Sequence, residues 1–394
     1  MTRAFAAATS RHPLPSHAAG EVVGEILDQL QGQDPDLVVM FATAPLSGVV
    51  EDVGAAIHDM LDPAVLIGST AAGVVGGGQE LEEGPALSVW AGVLGHRPQP
   101  VRITVQQEPD GLRPVGVDQL AGKVGTLLLL ADPFSVPVDE VIDDLNRRAP
   151  DLTVIGGLAS AGRGPGGNRL LADRSVHVDG AVGVLLGPEV PVAAFVSQGC
   201  RPIGRPMTVT ASDGSLLLEL AGVPALEQLQ ALVAELSPED RQLAAQGLHL
   251  GRVIDEHQMD FGRGDFLIRG VMGAVRDRQA VAVGDQVEVG ATVQFQVRDA
   301  VSADTDMKET LSEIEGDASL LFTCTGRGAS LFGRPHHDAE LVSLATGGSA
   351  TAGMFCAGEI GPVGSRTFLH GFSASVALFG GRPDGSVNKQ PEAE

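Results

Sequence analysis

The sequence repeats one order of secondary-structure signals, and this repetition constrains the fold more than any other feature. The first copy begins with the apolar run LVVMFAT at 37–43, which has the length of a buried strand. A helix with one apolar face is predicted at 49–61, followed by a strand and small-residue turn at 64–75 and an alternating strand at 85–95. This order predicts a sheet covered by helices.

A second copy follows, with Ile155-Gly156 in the place that Ile67-Gly68 occupies in the first. Its predicted helix, VDEVIDDLNRRA at 138–149, begins with acidic residues and ends with arginines, as the helix dipole favours. The strand before it, the strand-and-turn after it and the final strand are predicted at 126–134, 151–162 and 178–187.

A third copy is predicted near the other end of the chain. Its segments, in the same order, are SLLFTCTGRG at 319–328, HDAELVSLATGG at 337–348, TAGMFCAGEIGPV at 351–363 and FLHGFSASVALFG at 368–380. We therefore predict an α/β fold with mixed sheets, in which two pseudo-symmetric domains are built from repeated strand-helix-strand-strand units.

The predicted domain boundary lies near residue 200. CRPIGRP at 200–206 contains two prolines and has the composition of a linker, and the amphipathic stretch at 224–247 follows it, with a second helix starting at Ser237-Pro238. We expect domains at 16–200 and 201–380 and mobile tails at 1–15 and 381–394. A chain of 394 residues has room for two or three domains.

Composition excludes several classes of protein. The formal charge of −24 would repel nucleic acid and anionic membranes. No apolar run is long enough for a transmembrane helix, and the start of the chain does not resemble a signal peptide, so we expect a reducing cytoplasm. The three cysteines are widely spaced and support neither a disulfide framework nor a zinc ribbon.

Six segments together resemble the FIST family. Three are similar to its C-terminal domain: LLFTCTGRGASLFG (320–333), AGMFCAGEIGPVG (352–364) and FLHGFSASVALF (368–379). Three more are similar to its N-terminal domain: MFATAP (40–45), LIGSTAAG (66–73) and VIGGLAS (154–160). The resemblance covers about residues 20–380.

The resemblance implies a sensory or signal-transduction protein that binds a small ligand, such as an amino acid or a small carboxylate. In some bacteria such proteins accompany histidine kinases and respond to nitric oxide through haem, so a haem-based sensor is an alternative. The sequence shows no F-box, kinase or output segment. We therefore expect signalling through a separate protein partner, with a histidine kinase as one candidate.

Arg327 and Glu359 are the first candidate ligand contacts. Arg327 lies between two glycines after a predicted strand, and its planar, permanently charged fork suits a carboxylate or a phosphate. Glu359 lies in an apolar segment, where a carboxylate needs a partner, and it could hold the amino group of an amino acid. The alternative is structural: Arg327 pairs with a buried acid such as Glu359 and fixes the turn.

Three interpretations are open for Cys356, Cys324 and His370. A buried free cysteine is usually a small hydrophobic residue. A Cys nucleophile with His370 as its base would make the chain an enzyme, which we do not expect. Ligation of haem by a cysteine or by His370 is the third interpretation.

Hydroxyl groups at the ends of predicted strands complete the candidate set. Ser69, Thr70 and Ser160 lie where ligands collect in α/β sheets, although they could also only stabilise turns. His336-His337-Asp338 is predicted to be an exposed loop and not a metal site, because no second histidine follows at ligand spacing. We expect a ligand between the two domains, bound by Ser69, Thr70, Arg327, Cys356, Glu359 and His370, with no catalytic residue and no metal.

Overall fold

The first copy of the repeated unit folds as its apolar pattern predicts. The computed structural model describes residues 3–108, 111–258, 260–312, 314–348 and 350–380. The elements of the first copy are β1 (Ala4–Ser10), α1 (Pro15–Leu30), β2 (Leu37–Thr43), α2 (Val50–Leu61), β3 (Val65–Ala71), β4 (Val74–Gly76), β5 (Gln79–Leu81) and β6 (Leu87–Val93).

The second copy keeps the same order, with a parallel pair of strands on either side of a helix. Its elements are β7 (Gln99–Glu108), β8 (Gly111–Val115), β9 (Gly125–Ala131), α3 (Val138–Arg148), β10 (Leu152–Leu158), β11 (Leu170–Ala172), β12 (Ser175–His177) and β13 (Ala181–Leu186). One further strand, β14 (Val192–Gln198), follows it.

A different arrangement separates the second copy from the third. Its elements are β15 (Cys200–Pro202), β16 (Met207–Asp213), β17 (Leu216–Leu220), β18 (Val223–Pro224), α4 (Ala225–Glu235), α5 (Pro238–Gln246), β19 (Leu248–Val253), β20 (Phe266–Val275), β21 (Ala280–Val283), β22 (Thr292–Arg298) and α6 (Ala300–Ser312). The predicted second helix starts as expected, because the Ser237 hydroxyl accepts a hydrogen bond from the Asp240 N–H.

The third copy then completes the chain that the structure describes. Its elements are β23 (Ala318–Cys324), α7 (Ala329–Phe332), α8 (His337–Ala345), β24 (Thr351–Cys356), β25 (Glu359–Val363), β26 (Arg366–His370) and β27 (Ser373–Phe379). The predicted α/β class, with mixed sheets and repeated strand-helix-strand-strand units, is confirmed. Short 3-10 turns lie at Ala44–Leu46, Val117–Leu120 and Arg276–Arg278.

Each copy builds one sheet but passes its hairpin to another copy. The first sheet has the order β1-β6-β2-β3-β11-β12, so its edge hairpin comes from the second copy. The second sheet, β26-β25-β10-β9-β13-β7-β8, receives its hairpin from the third copy, and the third sheet, β14-β27-β23-β24-β4-β5, receives one from the first. The exchange forms a closed cycle, so no sheet is complete without a second copy.

The three sheets share one apolar core. Alternate residues of the parallel strands, such as Phe41, Leu128 and Phe322, belong to a single buried cluster to which all three sheets contribute. The Phe41 and Phe322 rings meet edge to face across two copies, 6.1 Å apart. The opposite faces of the first two sheets pack against their own helices, α1 and α2 on one and α3 on the other.

The compact units of the chain do not follow the division expected at residue 200. Among the described residues, one unit contains all three copies: the chain up to Val196, Lys308–Leu369 and 374–380. The other contains Ser197–Met307 and His370–Ser373. The physical reason is strand pairing, because β24 pairs with β4 and thereby ties the third copy to the first. All three repeated units therefore belong to one of the two compact units.

The expected mobile tail at 1–15 is a second difference. Residues 4–10 form β1, which pairs antiparallel with β6 from Ala4↔Val93 to Ser10↔Leu87, and α1 begins at Pro15. The alanine-rich sequence of β1 has little strand propensity of its own, so tertiary pairing decides its conformation. The tail expected at 381–394 lies outside the described residues.

The second unit contains a closed antiparallel barrel. Pairing runs from β22 through β16, β17, β21, β20 and β19, and β19 pairs with β22 again. Its interior is apolar and includes Leu250, Val293, Phe295 and Val297. Among the described residues of the chain, no helix is both long and apolar enough to cross a membrane.

Glycines in the second strand of each parallel pair allow the closest strand contact. A Cβ atom at Gly353 would lie 2.0 Å from the Leu321 carbonyl oxygen, and one at Gly156 would lie 1.9 Å from that of Leu129. These contacts involve backbone atoms, which cannot move without breaking the sheet.

We therefore predict that Gly353→Ala lowers the free energy of unfolding by about 3 kcal/mol. The matched control is Gly24→Ala in α1, where a Cβ atom meets nothing within 4 Å. This change should raise stability by about 1 kcal/mol, because alanine is the better helix former. Denaturant unfolding measures both variants, and a neutral Gly353→Ala would contradict the proposed close contact.

Candidate functional site

A buried ion pair forms the centre of the candidate site in the third copy. Arg327 lies in the tight turn after β23, where its backbone N–H donates to the Cys324 carbonyl at 2.8 Å. Its side chain makes a bidentate pair with Asp338, with Nε 2.6 Å from Oδ2 and Nη2 2.9 Å from Oδ1. Both side chains are buried, at 1% and 0% exposure.

Further polar contacts hold Asp338 in its ionised form. The Thr323 hydroxyl donates to Oδ2 at 2.8 Å, and His337 Nδ1 lies 3.0 Å from Oδ1. Burial alone would raise the pKa of Asp338, but the charge of Arg327 and these hydrogen bonds outweigh it and hold the pKa well below its ordinary value. The Phe332 ring stacks on His337 and also lies 5.3 Å from the Arg327 guanidinium carbon. We call Arg327, Asp338, Thr323, His337 and Phe332 the Arg327 cluster.

The first copy supplies a carboxylate that caps α8. Glu80 of β5 accepts hydrogen bonds from the backbone N–H groups of His336, Asp338 and Ala339, at 2.9, 3.0 and 3.2 Å. These groups lie at the start of α8 and have no partner within the helix. Burial, and then repulsion by the Asp338 charge, raise the pKa of Glu80 to about 7.

Glu82 repeats this contact at the neighbouring helix. It accepts a hydrogen bond from the Ala329 N–H at 2.9 Å, at the start of α7. The hairpin that the first copy gives to the third sheet therefore ends in two carboxylates that order the third copy.

Glu359 and Cys356 are buried in the same copy as the Arg327 cluster. Glu359, at the start of β25, is fully buried, and its charge acts on both Arg327 and Cys356. The acid that pairs with Arg327 is thus Asp338, whereas the sequence suggested Glu359. Arg327 keeps one donor, Nη1, that has no hydrogen-bond partner among the described residues.

Cys356 does not fit the roles of nucleophile or haem ligand. Burial, and then the charge of Glu359, raise the pKa of its thiol well above the ordinary value, the reverse of what a thiolate nucleophile needs. Its Sγ would lie 2.3 Å from a Cβ atom placed at Gly157, so the backbone of the next sheet occupies the space that a haem iron would need.

The hydroxyl groups of Ser69 and Thr70, at the end of β3, form hydrogen bonds with nearby backbone groups. The Ser69 hydroxyl donates to the Thr70 carbonyl at 3.2 Å, and the Thr70 hydroxyl accepts from the Arg169 N–H at 2.9 Å. Ser160 links the copies: its hydroxyl accepts from the Ala72 N–H at 2.8 Å and donates to the Phe355 carbonyl. The strand ends of all three copies therefore meet at Ser160.

His370 belongs to a different unit from the other five predicted residues. It is buried at the end of β26, in the segment 370–373 that is grouped with the barrel. Of the predicted set, the structure brings Arg327, Glu359 and Cys356 together in the third copy and places Ser69 and Thr70 in the first. Within the described residues, no group of three or more His, Cys, Asp or Glu side chains is placed to hold a metal ion.

Two residues of the network were missed in the sequence. Asp338 was assigned to an exposed loop, but it lies in the first turn of α8 and is fully buried, so that prediction was wrong. Glu80 had no sequence signal, because its role depends on a hairpin exchanged between copies. The signal available for Asp338 was its place before an apolar helix, where acidic residues are favoured.

We predict that Asp338→Asn is strongly destabilising. The change leaves the Arg327 charge buried without a counter-charge, which costs about 3–5 kcal/mol. The control is Glu340→Gln on the same helix, which breaks the exposed pair with Arg334 and should cost less than about 1 kcal/mol. Urea unfolding compares the two variants, and equal effects would contradict the structural importance of the buried pair.

The raised pKa of Glu80 predicts that the stability of the protein depends on pH. Because its pKa is about 7 in the folded chain and 4.5 as a reference, folding favours its protonated form. The free energy of unfolding should therefore fall as the pH rises from about 4.5 to about 7, by no more than about 3 kcal/mol. Glu80→Gln should remove this slope, which unfolding curves at several pH values would measure. Parallel profiles for the two proteins would rule out Glu80 as the cause.

Comparison with known proteins places this chain in a family. The model of the FIST N domain matches residues 36–223 and that of the FIST C domain matches 225–362. The uncharacterized protein Rv0628c of Mycobacterium tuberculosis (strain ATCC 25618 / H37Rv) is 42% identical over 378 residues, which cover 94% of this chain and 98% of that protein. The uncharacterized protein Mb0898c of Mycobacterium bovis is 41% identical over 375 residues, covering 93% and 96%. The chain therefore belongs to the FIST family.

Proposed function

We propose that this protein is a cytoplasmic sensor that binds an α-amino acid or a small carboxylate and signals through a separate protein partner, with a histidine kinase as one candidate. Membership of the FIST family supports the general assignment, because FIST domains are associated with signal transduction and small-ligand sensing. The ligand and the partner are the specific part of the proposal.

The observation that carries the proposal is the Nη1 donor of Arg327. This group is buried and has no hydrogen-bond acceptor among the described residues. Burying such a donor costs about 1–3 kcal/mol, which a ligand carboxylate at Nη1 would recover. Glu359, whose charge already acts on Arg327, would hold the amino group of an amino acid.

The caps of α7 and α8 provide a route for the signal. Both helices begin at carboxylates of the first copy, Glu82 and Glu80, while the Arg327 turn lies between β23 and α7. A ligand that enters beside Arg327 has to shift this turn, since Arg327 is 1% exposed. The shift would change the contacts of the β4–β5 hairpin and so reach the first copy.

A ligand screen by thermal shift tests this function. Glycine, glutamate, acetate and succinate are the probes, and a ligand at 100 times its dissociation constant should add about 2.7 kcal/mol of stability. Arg327→Lys keeps the charge but loses the planar fork, so we expect affinity to fall at least about tenfold. Arg334→Lys, at the exposed pair with Glu340, is the matched control and should bind as the wild type does.

Two outcomes would count against the proposal. Stabilisation by none of the probes would remove the ligand class, and equal binding by Arg327→Lys and the wild type would remove the site. Circular dichroism of the variant separates loss of binding from loss of fold. The haem-based sensor receives less support, because Cys356 is packed against Gly157, and a Soret band after haem addition would revive it.

A further inference from the structure

A polar patch lies on the outer face of the barrel in the second unit, where it is buried. His249 of β19 and Gln296 of β22 are register partners on adjacent antiparallel strands, so their side chains lie on the same face. Leu250, Phe295 and Val297, which are adjacent to them in sequence, belong to the apolar interior of the barrel. His249 is 4% exposed and Gln296 is 1% exposed.

Each of these two side chains has one polar atom that is unpaired among the described residues. Nδ1 of His249 and Nε2 of Gln296 are buried and have no hydrogen-bond partner among the described residues. Nearby amides are satisfied: Gln294 donates to the Gly204 carbonyl at 2.8 Å and Gln198 donates to the Phe266 carbonyl at 3.0 Å. The unpaired amide nitrogen is thus that of Gln296, and the unpaired ring nitrogen is that of its register partner, His249.

These two atoms differ in hydrogen-bonding role. Burial, and then the charge of Arg298, lower the pKa of His249 to about 4, so its imidazole is neutral at neutral pH. A neutral imidazole carries one acceptor nitrogen, and the tautomer protonated at Nε2 makes Nδ1 that acceptor. The amide nitrogen of Gln296 can only donate. An acceptor and a donor therefore stand side by side on adjacent strands.

Phe372 closes this patch in a strained conformation. Its φ is 62°, which is unusual for a residue with a bulky side chain. The ring meets the His249 imidazole edge to face, with centroids 4.1 Å apart, and the guanidinium carbon of Arg298 lies 5.8 Å from its centroid. Such strain is often retained at ligand-binding sites.

Gly251 leaves the space in which the Gln296 amide lies. A Cβ atom at this position would be 2.7 Å from Gln296 Nε2 and 2.9 Å from the Phe266 ring. The absence of a side chain at 251 thus leaves room for the amide donor beside the Phe266 ring.

We infer that His249 and Gln296 form a binding site for an uncharged planar carboxamide on an aromatic ring. The ligand N–H donates to His249 Nδ1, and its carbonyl accepts from Gln296 Nε2. The ring takes a place beside Phe372, whose side chain moves to admit it. This site goes beyond the proposed function, because its ligand carries no carboxylate and uses no residue of the Arg327 cluster.

Nicotinamide and methyl nicotinate are a matched pair of probes. They share the ring and a carbonyl group, but only the amide has N–H groups to donate. Isothermal titration with the full chain should show nicotinamide binding at least about tenfold more tightly than the ester, because His249 Nδ1 is left unpaired with the ester. Equal affinity, or no binding of nicotinamide at millimolar concentration, would overturn the inference.

Two glutamine variants on one strand separate binding from structure. Gln296→Leu should weaken nicotinamide binding at least about tenfold without lowering the unfolding midpoint, because it removes a donor that makes no bond in the free protein. Gln294→Leu, its matched control, should lower the unfolding midpoint, because it leaves the Gly204 carbonyl unsatisfied, and should keep the affinity within about twofold. A destabilising Gln296→Leu with unchanged binding would show that the patch is only structural, with a buried water between the two atoms.

Discussion

The exchange of hairpins among three copies is the constraint on which the structure of the first unit depends. A sheet of two parallel strands and one antiparallel strand has an edge after β3, β10 or β24, and each edge is covered by a hairpin from another copy. Uncovered edges invite pairing with other chains. The cycle covers all three edges from within the chain and brings the strand ends of the copies together at Ser160.

The same exchange explains why charged groups are buried in the third copy. The hairpin of the first copy carries Glu80 to the start of α8, where Asp338 already faces Arg327. Glu80 and Asp338 then lie close together beside Arg327, and Asp338 stays ionised while the pKa of Glu80 rises. A buried network of this kind fixes one register of the hairpin, because a slip of one residue would turn the carboxylate of Glu80 away from the helix.

Local pattern was sufficient to predict much of the fold. The strand, helix and strand of each copy follow from apolar runs and periodicity, and even the third copy was visible from 319 onward. The association of the three copies in one unit could not be predicted, because it depends on pairings between distant segments, such as Gly76↔Ala352. β1 was missed for the same reason, since only its pairing with β6 makes an alanine-rich segment extended.

In the candidate site, too, local features were predictable from the sequence and long-range contacts were not. Arg327 was identified from its two flanking glycines and its type, but its partner could not be, since Asp338 follows a turn whose path no periodicity specifies. The unused atoms of His249 and Gln296 were beyond sequence reasoning altogether, because they become neighbours only when the barrel closes through β19 and β22.

The hairpin cycle also dictates an order of events during synthesis. The second copy can complete the first sheet soon after it leaves the ribosome, whereas β4 and β5 have to wait for β24. The whole barrel is translated in that interval, so the nascent chain holds an extended hairpin without its partner strand. Loop closure over so long a segment is slow, and an unpaired hairpin in a crowded cell is prone to association. The two carboxylates on this hairpin, Glu80 and Glu82, add charge where an uncharged strand would aggregate.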